Sequence, residues 1–173
     1  MISKDIFGPV ELYSVEIEGC AASGSGRRER EYEAVGRLVR EAFGPEAVLE
    51  HRADGSPIVA AAGESQISVS HSRHLAVLAV APVAVGVDIE EAREQLVRIA
   101  GRFMTPEEQK VYSSPGLILK AWTLKEAAFK TLRPDSPATR MKLPPESCPY
   151  AVVYSGPHPR LPETFLSITI LAH

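Results

Sequence analysis

The sequence predicts an α+β fold, and three observations carry that prediction. Stretches of period-two alternation are interspersed with stretches of helical period, without the strict strand–helix–strand alternation of a parallel α/β protein. Turn and helix-stop signals punctuate the chain at short intervals, as at Asp54-Gly55-Ser56-Pro57 and Gly44-Pro45. The longest apolar run, residues 75–89, is interrupted by Pro82. It falls short of the roughly 18 or more residues a membrane-spanning helix needs and fits two buried strands joined by a tight turn.

The elements follow in order. Tyr13, Val15 and Ile17 alternate with Ser14, Glu16 and Glu18, which predicts a strand with one buried face. Residues 20–26 are small and rich in Gly and Ser, hence a loop. Val35, Leu38, Val39 and Ala42 fall at helical spacing and predict a helix over 27–43, stopped by Gly44-Pro45. Strands are expected at 67–70, 75–81 and 83–89. Leu96, Ile99, Ala100 and Phe103 mark a second helix. Thr105-Pro106-Glu107-Glu108 is a helix start, with Thr105 as N-cap, Pro106 in the first position and Glu108 closing a capping box. Ser114-Pro115 opens a further helix that runs to about Leu132, where Pro134 stops it. The proline-rich stretch 133–149 reads as irregular, and 150–154 and 165–171 as closing strands.

Composition narrows the function classes. The chain has 173 residues, 45% of them hydrophobic and 24% charged. That suits one domain or two small ones, burying roughly two-thirds of the unfolded surface. A net charge of -3 disfavours a generic nucleic-acid binder. Cys20 and Cys148 stand far apart without a CxxC pattern, which argues against a disulfide framework or a cysteine-built zinc site. Residues 1–10 carry Lys4 and Asp5 and no apolar leader core, so the expected location is the cytosol.

Three clusters carry possible chemistry. Gly86-Val87-Asp88-Ile89-Glu90 ends the apolar run. On a strand Asp88 and Glu90 share a face, and two adjacent carboxylates stay ionised cheaply only near a cation such as Mg²⁺. Trp122, Glu126 and Lys130 lie at i, i+4 and i+8 along one side of a helix. Ser70-His71-Ser72-Arg73 follows a short strand and offers hydroxyls, an imidazole and a guanidinium to an anion. Each alone also has an ordinary structural explanation: a strand leaving the core, an exposed ion pair on an amphipathic helix, a structural histidine.

Together and in this order the clusters resemble the 4'-phosphopantetheinyl transferase superfamily, in a shortened form of its Sfp-type branch. The family's G-[VI]-D-x-E strand appears as Gly86 through Glu90, and its W-x-x-K-E-x-x-x-K helix as Trp122 through Lys130. Arg102-Phe103-Met104-Thr105 with Glu108 resembles the stretch between them. Upstream, Ser68-Val69-Ser70-His71-Ser72 and Asp54-Gly55-Ser56-Pro57 resemble its Ser-His strand end and its Gly-Lys-Pro turn.

The resemblance implies two halves related by a pseudo-twofold axis, each a small antiparallel sheet with a long helix. Residues 1–82 would form the coenzyme A half and 83–173 the metal and catalytic half, with coenzyme A lying between them and a monomer sufficient for activity. It implies Mg²⁺-dependent transfer of the phosphopantetheine arm of coenzyme A to a serine of an apo acyl or peptidyl carrier protein, releasing 3',5'-ADP. Asp88, Glu90 and Glu126 match the metal carboxylates. Glu126 also matches a general base, and Lys130 the lysine on the diphosphate. Ser70 and His71 match phosphate contacts, and Gly55 and Pro57 the turn that passes the adenine. Arg28, with its neighbours Arg27 and Arg30, and Arg52 are candidates for the 3'-phosphate, the former equally consistent with a solvated helix start.

Departures accompany the match. Ser56 stands where the family turn has Lys, and the interval between Asp88 and Trp122 is short, so partner choice does not carry over. Asp88 is expected at a wet surface, Lys125 at the rim of the helix, and Glu108 outside the site because its capping box explains it. Neither a membrane nor a nucleic acid is expected as partner. Two rival readings are a non-catalytic coenzyme A-binding homologue and an Mg²⁺-dependent phosphoesterase.

Overall fold

The computed structural model describes residues 1–18, 20, 26–144 and 146–172. The Gly/Ser loop expected at 20–26 lies largely outside the described residues. The architecture is mixed α+β with small antiparallel sheets, and the chain divides into two compact units, Met1–Val85 and Gly86–His173.

The first unit is built on strands β1 (Ser3–Phe7), β2 (Val10–Glu16), β5 (Gln66–His71) and β6 (Leu75–Ala81), ordered β1-β2-β6-β5. β2, β5 and β6 pair antiparallel, with Tyr13 opposite Leu78 and Val69 opposite Leu78 on the other side. Helix α1 (Arg27–Phe43) lays its stripe of Ala34, Val35, Leu38 and Val39 on this sheet, against Val15, Ile67, Ala76 and Leu78. β1 escaped the sequence reading because its pattern is weak: Lys4 and Asp5 interrupt it and Ile6 is 62% exposed. The turn at 54–57 joins two minimal strands, β3 (Glu50–His51) and β4 (Pro57–Ile58). Asp54 Oδ1 accepts from the Ser56 amide at 2.9 Å, and Gly55 takes φ +79°, a conformation that suits glycine.

The second unit holds the strands β7 (Val85–Glu91), β8 (Tyr150–His158) and β9 (Leu161–Leu171), in the order β7-β9-β8. The apolar run at 75–89 is thus split between β6 and β7. The helix expected from Leu96 to Phe103 is two pieces, α2 (Glu94–Arg98) and a 3₁₀ turn at Ala100–Arg102, with the break at Ile99. α3 (Pro106–Val111) has the expected capping box: the Glu108 amide donates to Thr105 Oγ1 at 3.2 Å and the Thr105 amide to Glu108 Oε2 at 2.9 Å. α4 (Pro115–Leu132) starts at an N-cap formed by Ser114 and ends with Arg133 in the left-handed conformation. The irregular 133–149 stretch contains a single-turn 3₁₀ helix, Ala138–Arg140.

α4 packs on β9 through hydroxyls as well as apolar atoms. Thr123 and Ser167 meet at 2.8 Å and Thr131 and Thr169 at 2.7 Å, all four buried. These directional bonds fix the register of the helix along the strand. Among the described residues no helix is long and apolar enough to cross a membrane.

Candidate active site

Gly86 explains how the acidic strand reaches α4. A Cβ at this position would lie 1.9 Å from the Ala127 carbonyl oxygen and 2.6 Å from Thr131 Oγ1. Only glycine lets β7 approach the backbone of α4 so closely. Two residues further along the strand, Asp88 meets α4 one turn beyond Glu126.

The result is a set of five side chains on two elements, Asp88 and Glu90 on β7 and Trp122, Glu126 and Lys130 on α4. Lys130 Nζ donates to Asp88 Oδ1 and to the Val87 carbonyl, both at 2.9 Å. Trp122 Nε1 donates to Glu90 Oε1 at 3.3 Å, and its ring meets Phe103 edge-on with centroids 5.0 Å apart. Burial, reinforced by the charge of Asp88, pushes the Glu126 carboxyl above the usual carboxylate range, and Glu90 is raised for the same two reasons. Asp88, Glu90 and Glu126 therefore feel one another's fields. Asp88 itself is 6% exposed, which corrects the expectation of a wet surface position.

The donor set suits a hard cation. Carboxylate oxygens are the ligands Mg²⁺ prefers, and a divalent charge would relieve the repulsion that raises Glu90 and Glu126. The carboxylates do not form a finished cage, however: among the described residues no group of three or more His, Cys, Asp and Glu side chains is gathered so as to hold a metal ion. Instead Asp88 is engaged by Lys130, and Glu90 Oε2 accepts from the Arg93 guanidinium. Arg93, three residues beyond Glu90, had no place in the sequence reading. Its signal was the i, i+3 spacing of a cation after the acidic pair.

Lys125 corrects a second expectation. It is 2% exposed, not at the rim. Its Nζ lies 2.9 Å from Glu108 Oε1 and donates to the carbonyls of Thr139 and Met141. Glu108 thus serves its capping box and a buried ion pair at once.

The remaining candidates belong to the first unit. Ser70 is buried at the end of β5, and His71 beside it is exposed. His71 Nδ1 lies 3.7 Å from Glu31 Oε1, which also receives Arg27 Nε at 2.6 Å. The start of α1 and the end of β5 therefore come together, with an acidic residue between the two bases that the sequence reading did not single out. Arg28 is exposed on the first turn of α1. Arg52 folds over its own turn, donating to Ser56 Oγ at 3.4 Å and to the Pro57 carbonyl at 3.3 Å. It thereby sets a guanidinium beside Ser56, the residue that departs from the family turn.

Over part of the chain, comparison with known proteins points to the family that the motifs resemble. Residues 84–149 match the family model of the 4'-phosphopantetheinyl transferase superfamily. The matched segment contains the acidic strand, α2, α3 and the whole of α4. It supports a transferase acting on phosphopantetheine in general. No curated protein matches the chain.

Proposed function

We propose that the protein transfers the 4'-phosphopantetheine arm of coenzyme A to a serine of an apo carrier protein, releasing 3',5'-ADP. The observation that carries this reading is the meeting of α4 with the acidic strand: Lys130 on Asp88, Trp122 on Glu90, and Glu126 between them in sequence. A lysine beside a carboxylate cluster is what a diphosphate-cleaving site needs, positive charge for the leaving group and oxygen donors for a cation. Mg²⁺ held by Asp88, Glu90 and Glu126 would supply charge neutralisation to the diphosphate.

The serine oxygen forms a bond to the pantetheine-side phosphorus while the bond from that phosphorus to the bridging oxygen breaks. Glu126 accepts the serine proton, through a bridging water while it also ligates the cation, because a carboxylate on a cation is a weak base. The Lys130 ammonium balances the negative charge that accumulates on the departing 3',5'-ADP. In the first unit, Ser70, His71, Arg28 and Arg52 would contact the phosphates of coenzyme A, and Gly55 with Pro57 the adenine side.

The test is mass spectrometry of apo carrier proteins after incubation with coenzyme A and Mg²⁺. One phosphopantetheine added to a serine, with stoichiometric 3',5'-ADP and loss of the reaction in a chelator, supports the reading. Coenzyme A binding without transfer, or 3',5'-ADP release with no carrier present, would replace it by the homologue or phosphoesterase alternative.

A further inference from the structure

Among the described residues, Lys125 and Glu108 form the most deeply buried ion pair, with exposures of 2% and 6%. Burying two charges costs desolvation that a pair of apolar residues would avoid, so the pair is not explained by stability alone. What this pair fixes is clear from its contacts. Glu108 is held from one side by both bonds of the Thr105 capping box, at 2.9 and 3.2 Å. Lys125 is held from the other by Glu108 at 2.9 Å and by the carbonyls of Thr139 and Met141. α3, α4 and the 138–141 turn are thus tied at one point.

That point is the residue next to Glu126. Successive helix residues differ by about 100°, so Glu126 cannot swing about the helix axis unless Lys125 swings with it. The same stretch carries Trp122 and Lys130, which meet Glu90 and Asp88. Resting on the proposed transfer reaction, we infer that Lys125 and Glu108 are positioning residues: their ion pair sets the rotation of α4 that aims Glu126 and Lys130 at the reacting diphosphate. A dislocation of about 1 Å in such a site can lower a rate about a hundredfold.

A purely stabilising pair and a positioning pair are separated by three variants: Lys125→Met, Glu108→Gln and the two combined. Gln preserves the capping box. Each single variant leaves a buried group without its counter-charge and is expected to lower Tm by about 10 °C. The double variant removes both charges and should recover most of that loss. Kinetics are measured per folded molecule, at least about 20 °C below each Tm by circular dichroism. If the pair positions the site, kcat of the double variant stays at least about tenfold below wild type while KM for coenzyme A changes by less than about twofold. The fluorescence of Trp122, the chain's one tryptophan, shifts as its contacts with Glu90 and Phe103 alter. A double variant that regains both Tm and kcat overturns the inference. Should a single variant not fold, the double variant carries the comparison. If the wild-type protein transfers nothing, the functional reading has failed, and the brace is judged on fluorescence alone: a shifted emission in the double variant supports it, an unchanged one overturns it.

Discussion

Lys130 Nζ lies 2.9 Å from Asp88 Oδ1, so the lysine proposed for the diphosphate is already ion-paired with a carboxylate proposed for the metal. The ammonium and a divalent cation would then share the Asp88 carboxylate, with opposite consequences for a mutant. Lys130→Met should lower kcat about a hundredfold, since a preorganised cation at developing charge is worth about 3 kcal/mol. It should also tighten Mg²⁺ binding severalfold, because a neighbouring positive charge no longer repels the ion. Steady-state rates with saturating coenzyme A, and Mg²⁺ titrations followed by Trp122 emission, measure the two effects. Weaker Mg²⁺ binding in this variant would contradict the shared-carboxylate account.

Gly86→Ala should destabilise the protein by about 3 kcal/mol, because its methyl group would sit 1.9 Å from the Ala127 carbonyl and backbone must move. For a chain of this length that is about 6–12 °C in Tm. Denaturant unfolding checks the value. A variant as stable as wild type would mean that β7 and α4 do not approach as described.

The pH dependence of stability has a definite sign. Glu90 and Glu126 have raised pKa values in the fold, first through burial and then through Asp88. The folded state therefore holds these protons more tightly than the unfolded chain. Their contribution to stability is present below the ordinary carboxylate pKa and is lost as pH rises through the raised values. In a chelating buffer, Asp88→Asn should flatten that decline, because it removes the second cause at both sites. Thermal melts of wild type and variant across mildly acidic to neutral pH give the comparison, and parallel curves would refute it.

His71→Ala should raise KM for coenzyme A more than it lowers kcat, as a phosphate contact made alike in ground and transition states does. Glu31→Gln should act in the opposite direction. Its carboxylate, 3.7 Å from His71 and 2.6 Å from Arg27, competes with an incoming phosphate for both bases. Initial-rate kinetics over a range of coenzyme A concentrations resolve the pair, and a higher KM in Glu31→Gln would count against a phosphate site here.

The long helices and the acidic strand were legible because their determinants are local. The capping box at Thr105 and the Ser114-Pro115 start need only neighbouring residues, and the spacing of Trp122, Glu126 and Lys130 follows from helix geometry. Lys125 was not legible. Its burial depends on Glu108, Thr139 and Met141 arriving from elsewhere in the chain, and nothing within one helical turn announces them. Asp88 was misplaced for a similar reason: a carboxylate near a strand end looks solvated until a lysine 42 positions later covers it. β1 was missed because half its face is polar and its apolar Ile6 points outward.

The strand order of the second unit also governs when this machinery can exist at all. β7 is paired to β9, not to β8, so the strand that bears Asp88 and Glu90 acquires its sheet neighbour only after residues 161–171 have left the ribosome. A nascent chain that has already made both acidic residues and the whole of α4 still lacks the partner that holds β7 straight. A product cut short before β9 would carry each chemical group of the site in its sequence and have no sheet on which to display the carboxylates. Completion of the sheet that carries the two carboxylates is in this sense a late event in synthesis.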